Sequence, residues 1–422
     1  MVKISESIRH ICRRIIIGAF RLINRICCSI ILVIFRFIFP LNENMIIFES
    51  EGDFSDNSFA LYDYMQRRGF FRKYKAVWLV STPSYYRNRK DCIVCSKNVR
   101  PYNLRTIYCL AVAKYFFYDH CNILIPYGKR KDQVIFNLWH GAGFKGNSAS
   151  DIKHDIIDFL SSLSDFWSEH LAKFCGTDIS KTVVTGYPRN DYFFCPVASN
   201  VRKFAEKSGW TRFQKIIFWM PTFRKSTNSN LSEDYYSGDT GLPVIYSRAD
   251  MAEFNDFLCS LNLYLVFKVH HLQMDYPIFS ETFSNIAIVS DSQIQENGFQ
   301  LYQLLSISDC LITDYSSVSV DYLLLDRPVI YTMDDYEEYK NSRGFLFDNV
   351  ADYFAGHHVY NKKEFSAAIR EIAEGKDPFK EARKKILPVM HKYTDGMSNR
   401  RVLECAGLTE QYSTTENRFS GA

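Results

Sequence analysis

The chain has 422 residues and a formal net charge of +4, from 51 Lys and Arg against 47 Asp and Glu. With 47% hydrophobic and 16% aromatic residues it is long and apolar enough for two or three cored domains, which excludes a disordered or fibrous polypeptide. The charge is unevenly placed: residues 1–40 carry seven basic side chains and one acid, Glu6, a net of +6, while the other 382 residues sum to −2 and offer no basic excess for nucleic acid.

The first segment, residues 1–40, alternates arginines (Arg9, Arg13, Arg14, Arg21, Arg25, Arg36) with aliphatic runs. Its longest uncharged stretch, Ile26 to Phe35, is about ten residues, against roughly 20 for a spanning helix. Arginines inside the apolar region and the lack of a small-residue cleavage site also argue against a secretory signal. The segment reads as a basic amphipathic helix on an anionic membrane surface, with acyl chains on its apolar face and lipid headgroups at its arginines. The competing reading is a helix packed on the protein's own body. Twelve cysteines are spread through a chain too long for a disulfide-stapled scaffold. The lone Cys92-x-x-Cys95 has no second pair to complete a zinc site, so core thiols in a reducing cytosol are expected.

After Pro40, short apolar runs alternate with amphipathic stretches. Strands are expected at Met45–Phe48, Ala76–Val80, Tyr115–Tyr118, Val134–Leu138 and Thr182–Thr185. A second series follows at Ile216–Met220, Leu263–Val269, Ile286–Val289, Cys310–Thr313 and Val329–Tyr331. Helices fall between many of them, for example Leu301–Ser308 and Ser317–Leu325. This alternation predicts an α/β chain of two doubly wound, Rossmann-like domains, residues 41–205 and 206–405, with a disordered tail at 406–422. In such sheets ligands bind beyond the carboxyl ends of the strands, so chemistry is sought in the turn after each strand.

Five strand-end motifs stand out. Leu138-Trp139-His140-Gly141-Ala142-Gly143-Phe144-Lys145-Gly146 places three glycines where backbone can approach an anion, with Lys145 beside them and His140 as a base or phosphate donor. Gly186-Tyr187-Pro188-Arg189-Asn190-Asp191 fixes Arg189 near a strand end, where it pairs with phosphate or with a structural carboxylate; spacing alone does not decide. Met220-Pro221-Thr222-Phe223-Arg224 ends the first strand of the second domain, and Lys268-Val269-His270-His271 ends another, with Lys268 and His270 on one face. The fifth is Thr313-Asp314-Tyr315-Ser316-Ser317-Val318, a strand running into a helix whose first turn suits phosphate, continuing through Arg327-Pro328 to Arg343-Gly344. No G-x-S-x-G, Walker loop or H-E-x-x-H occurs, and Asp334-Asp335 lacks a D-x-D form.

Taken in order over about residues 134–348, these motifs resemble the CDP-glycerol glycerophosphotransferases, the teichoic-acid primases and polymerases. The resemblance implies a GT-B fold of two facing domains and a donor, CDP-glycerol or CDP-ribitol, held mainly by the C-terminal domain. It also implies a polyprenyl-linked saccharide acceptor and a peripheral location on the cytoplasmic face of a bacterial membrane, with products such as teichoic acid or capsule. It places His140 and His270 at the catalytic centre. Gly141, Lys145, Arg189, Arg224, Lys268, Asp314, Ser316, Ser317 and Arg327 are then assigned to substrate. No metal ligand set is identified and no cofactor is required, although Mg2+ is compatible. Two positions depart from the family pattern: Ala142-Gly143-Phe144-Lys145 replaces Thr-Pro-Leu-Lys, and His271 replaces the proline after the second histidine. The rival readings are a GT-B glycosyltransferase using a nucleotide sugar and a non-catalytic membrane-bound scaffold.

Overall fold

A computed structural model describes residues 2–146, 156–222, 239–268, 276–342 and 344–409, with the side chains of the first helix described at Arg13 and from Ile16 onward. Among the described residues thirteen strands form two sheets. The first holds β1 (Asn42–Glu49), β2 (Lys75–Val80), β3 (Ile93–Ser96), β4 (Ala113–Tyr118), β5 (Val134–Asn137), β6 (Phe159–Ser162) and β7 (Thr182–Val184), in the order β3-β2-β1-β4-β5-β6-β7. The second holds β8 (Lys215–Trp219), β9 (Leu263–Phe267), β10 (Ile286–Ile288), β11 (Cys310–Thr313), β12 (Val329–Thr332) and β13 (His357–Val359), in the order β10-β9-β8-β11-β12-β13. Every pairing between these strands is parallel.

The apolar runs explain the sheets. In Met45-Ile46-Ile47-Phe48 all four side chains are buried, Met45 and Ile47 on one face and Ile46 and Phe48 on the other. A strand covered on both faces is continuously apolar, and parallel strands joined by helices are covered in this way. In each sheet the strand order reverses at one point, between β1 and β4 and between β8 and β11. Crevices open there, at the carboxyl ends. The sheet topology is the two doubly wound units expected. The described part of Cys92-x-x-Cys95 is a free-thiol stretch at β3, with Cys95 buried and Cys92 half-buried.

Two parts of the chain depart from the expected boundaries at residues 40 and 205. The helix Ser398–Cys405 lies on the N-terminal domain: Val402 and Leu403 join a core with Ile46, Phe48 and Leu61, and the Asp191 carboxylate accepts from the backbone N–H groups of Ser398 and Asn399. The first helix, α1 (Val2–Ile38), extends about 55 Å at 1.5 Å per residue. Its last part is docked on the body against α3 (Leu104–Val112). Cys28 and Leu32 are buried, Asn24 Nδ2 donates to the Val99 carbonyl at 3.0 Å, and Arg36 donates to the carbonyls of Tyr127 and Gly128. The arginines expected to meet lipid headgroups therefore include two, Arg25 and Arg36, that the fold itself uses. Of the expected tail, residues 410–422 lie outside the described residues, while Ala406 and Leu408 are buried.

Candidate active site

His140 follows β5 in a turn that the sequence would not adopt unaided. Trp139 has φ +59°, a conformation that costs a bulky L residue roughly 1–2 kcal/mol. Three hydrogen bonds hold it: Trp139 N donates to Asn137 Oδ1 at 2.9 Å, its Nε1 to the Gly141 carbonyl at 2.9 Å, and Asn57 Nδ2 to the Trp139 carbonyl at 2.7 Å. Asn57 lies on α2 (Asp56–Arg67) and also accepts from the Arg189 N–H at 3.0 Å, so one side chain fixes two strand-end turns. The result is a rigid mount for His140.

The His140 ring is reached by solvent yet surrounded by protein, as on the floor of a cleft. Its Nδ1 lies 3.3 Å from the Asp119 carbonyl oxygen. A carbonyl only accepts, so Nδ1 carries the hydrogen and Nε2 keeps its lone pair. Burial, and then the neighbouring His120, push the imidazolium pKa down to about 4, below the near-neutral value expected from the sequence. Both effects favour the neutral imidazole, whose Nε2 lone pair can accept a proton.

The second domain closes on this turn. A Cβ at Gly141 would lie 2.6 Å from Ser317 Oγ, and one at Gly143 would lie 3.4 Å from Ser317 Cβ. Ser317 precedes the short helix Val318–Tyr322 after β11, and its side chain caps no helix amide. Ser316 and Ser317 are both half-exposed. Lys145, itself exposed, is bridged to Phe345 in antiparallel fashion, flanked by Gly146 N to the Gly344 carbonyl at 3.0 Å and Leu346 N to the Phe144 carbonyl at 2.9 Å. The structure therefore brings the His140-Gly141 turn against Ser317 from the facing strand end, with Ser316 next to Ser317 in the chain and Lys145 in the bridge to Phe345.

Other residues assigned to substrate have different partners. Arg189 is buried, donates to Asp56 Oδ1 at 2.6 Å and Asp321 Oδ2 at 2.7 Å, and lies over the Tyr302 ring. Burial pulls against its charge, but Asp56, Tyr302 and Asp321 outweigh it, so the guanidinium belongs to a joint between the domains. Asp314 is fully buried and accepts from Thr222 N at 2.8 Å and from the Thr222 hydroxyl, clamping the turn after β8 to the turn after β11. Arg327 corrects the sequence reading most clearly. It donates to the carbonyls of Ser306 and Ser308, before β11 begins, and so sits at the amino ends of the strands, away from the cleft. Lys268 stays at a strand end, where its Nζ lies 3.0 Å from Asp291 Oδ1. His270 and Arg224 lie outside the described residues.

Sequence reasoning missed the turn after β4. Asp119-His120 occupies the switch point itself, with the His120 and His140 ring centroids 5.0 Å apart. Beneath it Glu49 and Asp119 are buried. Asp119 Oδ2 accepts from Ser58 N at 2.8 Å, and Glu49 lies 3.4 Å from Lys97 Nζ. Burial raises both carboxyl pKa values, with Asp56 and Glu49 adding to the effect at Asp119 and Lys97 opposing it at Glu49. Among the described residues no group of three or more His, Cys, Asp or Glu side chains could hold a metal ion.

The chain is similar to known proteins over most of its length. The chain is 28% identical over 350 residues to a teichoic acid poly(glycerol phosphate) polymerase of Bacillus spizizenii, covering 75% of this chain and 81% of the relative. It is 25% identical over 324 residues to a teichoic acid glycerol-phosphate primase of Bacillus subtilis, covering 71% and 75%. A poly(ribitol-phosphate) polymerase of Bacillus spizizenii is 26% identical over 371 residues, and there the match spans 52% of the relative and 80% of this chain. Among solved structures, the wall teichoic acid polymerase TagF superposes with a TM-score of 0.69 at 19% identity, covering 87% of this chain and 89% of the other, which shows a shared fold. The family model described as CDP-Glycerol:Poly(glycerophosphate) glycerophosphotransferase matches residues 31–406, and the chain belongs to that family of polyol-phosphate transferases.

Proposed function

We propose that the chain transfers glycerol phosphate, or a related polyol phosphate, from a CDP-linked polyol to a hydroxyl of a polyprenyl-linked saccharide, with release of CMP. The observation that carries this reading is His140. Its Nδ1–H is engaged by the Asp119 carbonyl, its Nε2 is free to accept a proton, and its turn lies against Ser317 of the opposite domain. The acceptor hydroxyl oxygen attacks the polyol-bearing phosphorus, and its proton passes to His140 Nε2. The bond from that phosphorus to the bridging oxygen breaks, and CMP leaves with the electron pair. The protein's task is to align the groups and neutralise charge on the phosphate oxygens. On this reading Ser317, which lies against the His140 turn, holds phosphate together with Ser316 and Lys145; His270 and Arg224 carry that assignment from the sequence alone.

The acceptor is lipid-linked in this reading because α1 presents an apolar outer face. Ile16, Phe20, Ile23, Ile30, Val33 and Phe37 recur at helical spacing and are exposed, Phe37 by 92%. Such a stripe suits the boundary of a membrane leaflet, which on this reading is the cytoplasmic one.

The test is a donor screen read as nucleotide release with a polyprenyl-diphosphate saccharide. Radiolabelled CDP-glycerol and CDP-ribitol are compared with UDP-sugars. CMP release with label in the lipid fraction is expected from one or both CDP donors, and His140→Ala is expected to lower it about 10²–10⁴-fold. UDP release from a sugar donor, or full activity in His140→Ala, overturns the reading.

A further inference from the structure

The transfer just described leaves one imidazole of the cleft unused. His120 follows β4, the strand beside β5, and its ring centroid is 5.0 Å from that of His140 at an interplanar angle of 48°. Its Nε2 lies 3.4 Å from Glu51 Oε2, and its side chain is 38% exposed, so it faces the same solvent-filled space as His140. The two rings differ in their partners. His120 has a carboxylate, whereas His140 has only the neutral carbonyl of Asp119, whose own carboxylate is turned back to the Ser58 N–H.

Among the described residues Glu51, the partner of His120, is the carboxylate that also acts on His140, more weakly than His120 does, and the other charges around the turn are engaged elsewhere. Arg189 lies beneath the turn and is cationic, and its two carboxylates, Asp56 and Asp321, are both bound to it. Glu49, at the end of β1, and Asp53, in the turn after it, face Lys97. From the opposite domain the neighbour of this turn is the Ser317 hydroxyl, which is uncharged. Two imidazoles this close resist carrying charge together.

We propose that His120, held by Glu51, is a positioning residue for His140. It takes the first proton available to the pair, and its charge keeps His140 Nε2 unprotonated and ready to accept the proton of the attacking hydroxyl. The inference rests on the reading of His140 as the base.

The experiment uses the full chain labelled with 13C at histidine Cε1, with the His140 resonance identified by its loss in His140→Gln. Titration of the wild type is expected to give two separated midpoints for the pair. In His120→Gln, His140 is expected to titrate about one pH unit higher than in the wild type. Glu51→Gln, at an exposed site, keeps the ring and removes a carboxylate that also favours the charged form of His140, and is expected to move His140 downward by a smaller step, opposite in sign to His120→Gln, which separates the effect of the ring from that of the carboxylate. The acid limb of CMP release from CDP-glycerol is expected to shift upward by the same amount in His120→Gln, a change that a purely structural role for His120 would not produce. An unchanged His140 midpoint in His120→Gln overturns the proposal. The titration needs no substrate, so the coupling of the two rings is read independently of whether His140 proves to be the base.

Discussion

An added methyl group at Gly141 has no space: its Cβ would sit 2.6 Å from Ser317 Oγ and 3.1 Å from Arg189 Nη2, and its φ of +142° is one that L side chains rarely adopt. Steric conflict and backbone strain therefore act together at the residue beside His140. Gly141→Ala is expected to lower stability by about 1–3 kcal/mol, read by denaturant unfolding, and to lower transfer by more than that loss explains, because the strained Trp139 mount must shift. Adding Ser317→Gly removes the nearest contact but not the strain, so the double variant is expected to recover part of the stability and little of the activity. Full recovery of both would show that crowding alone matters at this position.

At the scale of elements, α1 separates two roles that its sequence mixes. By length and composition Ile16–Ile38 could cross a membrane, but Asn24, Arg25 and Arg36 donate to carbonyls of Val99, Pro126, Tyr127 and Gly128 on the body. A helix pinned along one side is suited to lie in the interface with its other side in lipid. Ile23→Glu, Ile30→Glu and Phe37→Glu together are expected to abolish sedimentation with anionic vesicles while leaving the melting temperature within a few degrees of wild type. Arg36→Ala is expected to do the reverse, costing about 1–3 kcal/mol by stripping a donor from two carbonyls, with vesicle binding retained. Deleting residues 1–40 would confuse the two, since Cys28 and Leu32 are core residues. The same element-level view shows why much of the fold was legible. Met45–Phe48 and Cys310–Thr313 are doubly covered parallel strands, and burial on both faces makes a run of apolar residues visible without any partner. Phe159–Ser162 and His357–Val359 escaped because Ser161, Ser162, His357 and His358 give them no such run. Arg327 was misplaced for a related reason: a motif shows that an arginine is near a strand, but not which end of the strand its side chain reaches. His120 was within reach of the rule that directed attention to strand ends, yet Asp119-His120 has no glycine to mark a ligand turn.

For the whole molecule, the question is what fixes one domain against the other behind the cleft. Asp321 is fully buried in the second domain and accepts from Arg189 at 2.7 Å, from Asn190 Nδ2 at 2.9 Å and from the Tyr302 hydroxyl. Arg189 and Asn190 belong to the turn that Asn57 also holds, and Asn57 in turn holds the His140 mount. The ion pair is thus connected to the catalytic turn by a short chain of hydrogen bonds, with the returning helix Ser398–Cys405 tied to the next residue, Asp191. Removing one member of a buried pair strands the other, so Asp321→Ala is expected to cost about 3–5 kcal/mol in denaturant unfolding. Asp56 is partly exposed, and its replacement by Ala is expected to cost only about 1 kcal/mol. Replacing both members of the buried pair by apolar residues, Arg189→Met with Asp321→Leu, leaves no charge stranded between them and is expected to be clearly more stable than Asp321→Ala. Transfer activity should not follow that recovery, because the apolar pair packs without direction while the hydrogen bonds set the register of the two strand-end turns. A double variant that regained both stability and activity would mean that the joint only glues the domains; one that regained stability alone would mean that it also aims them.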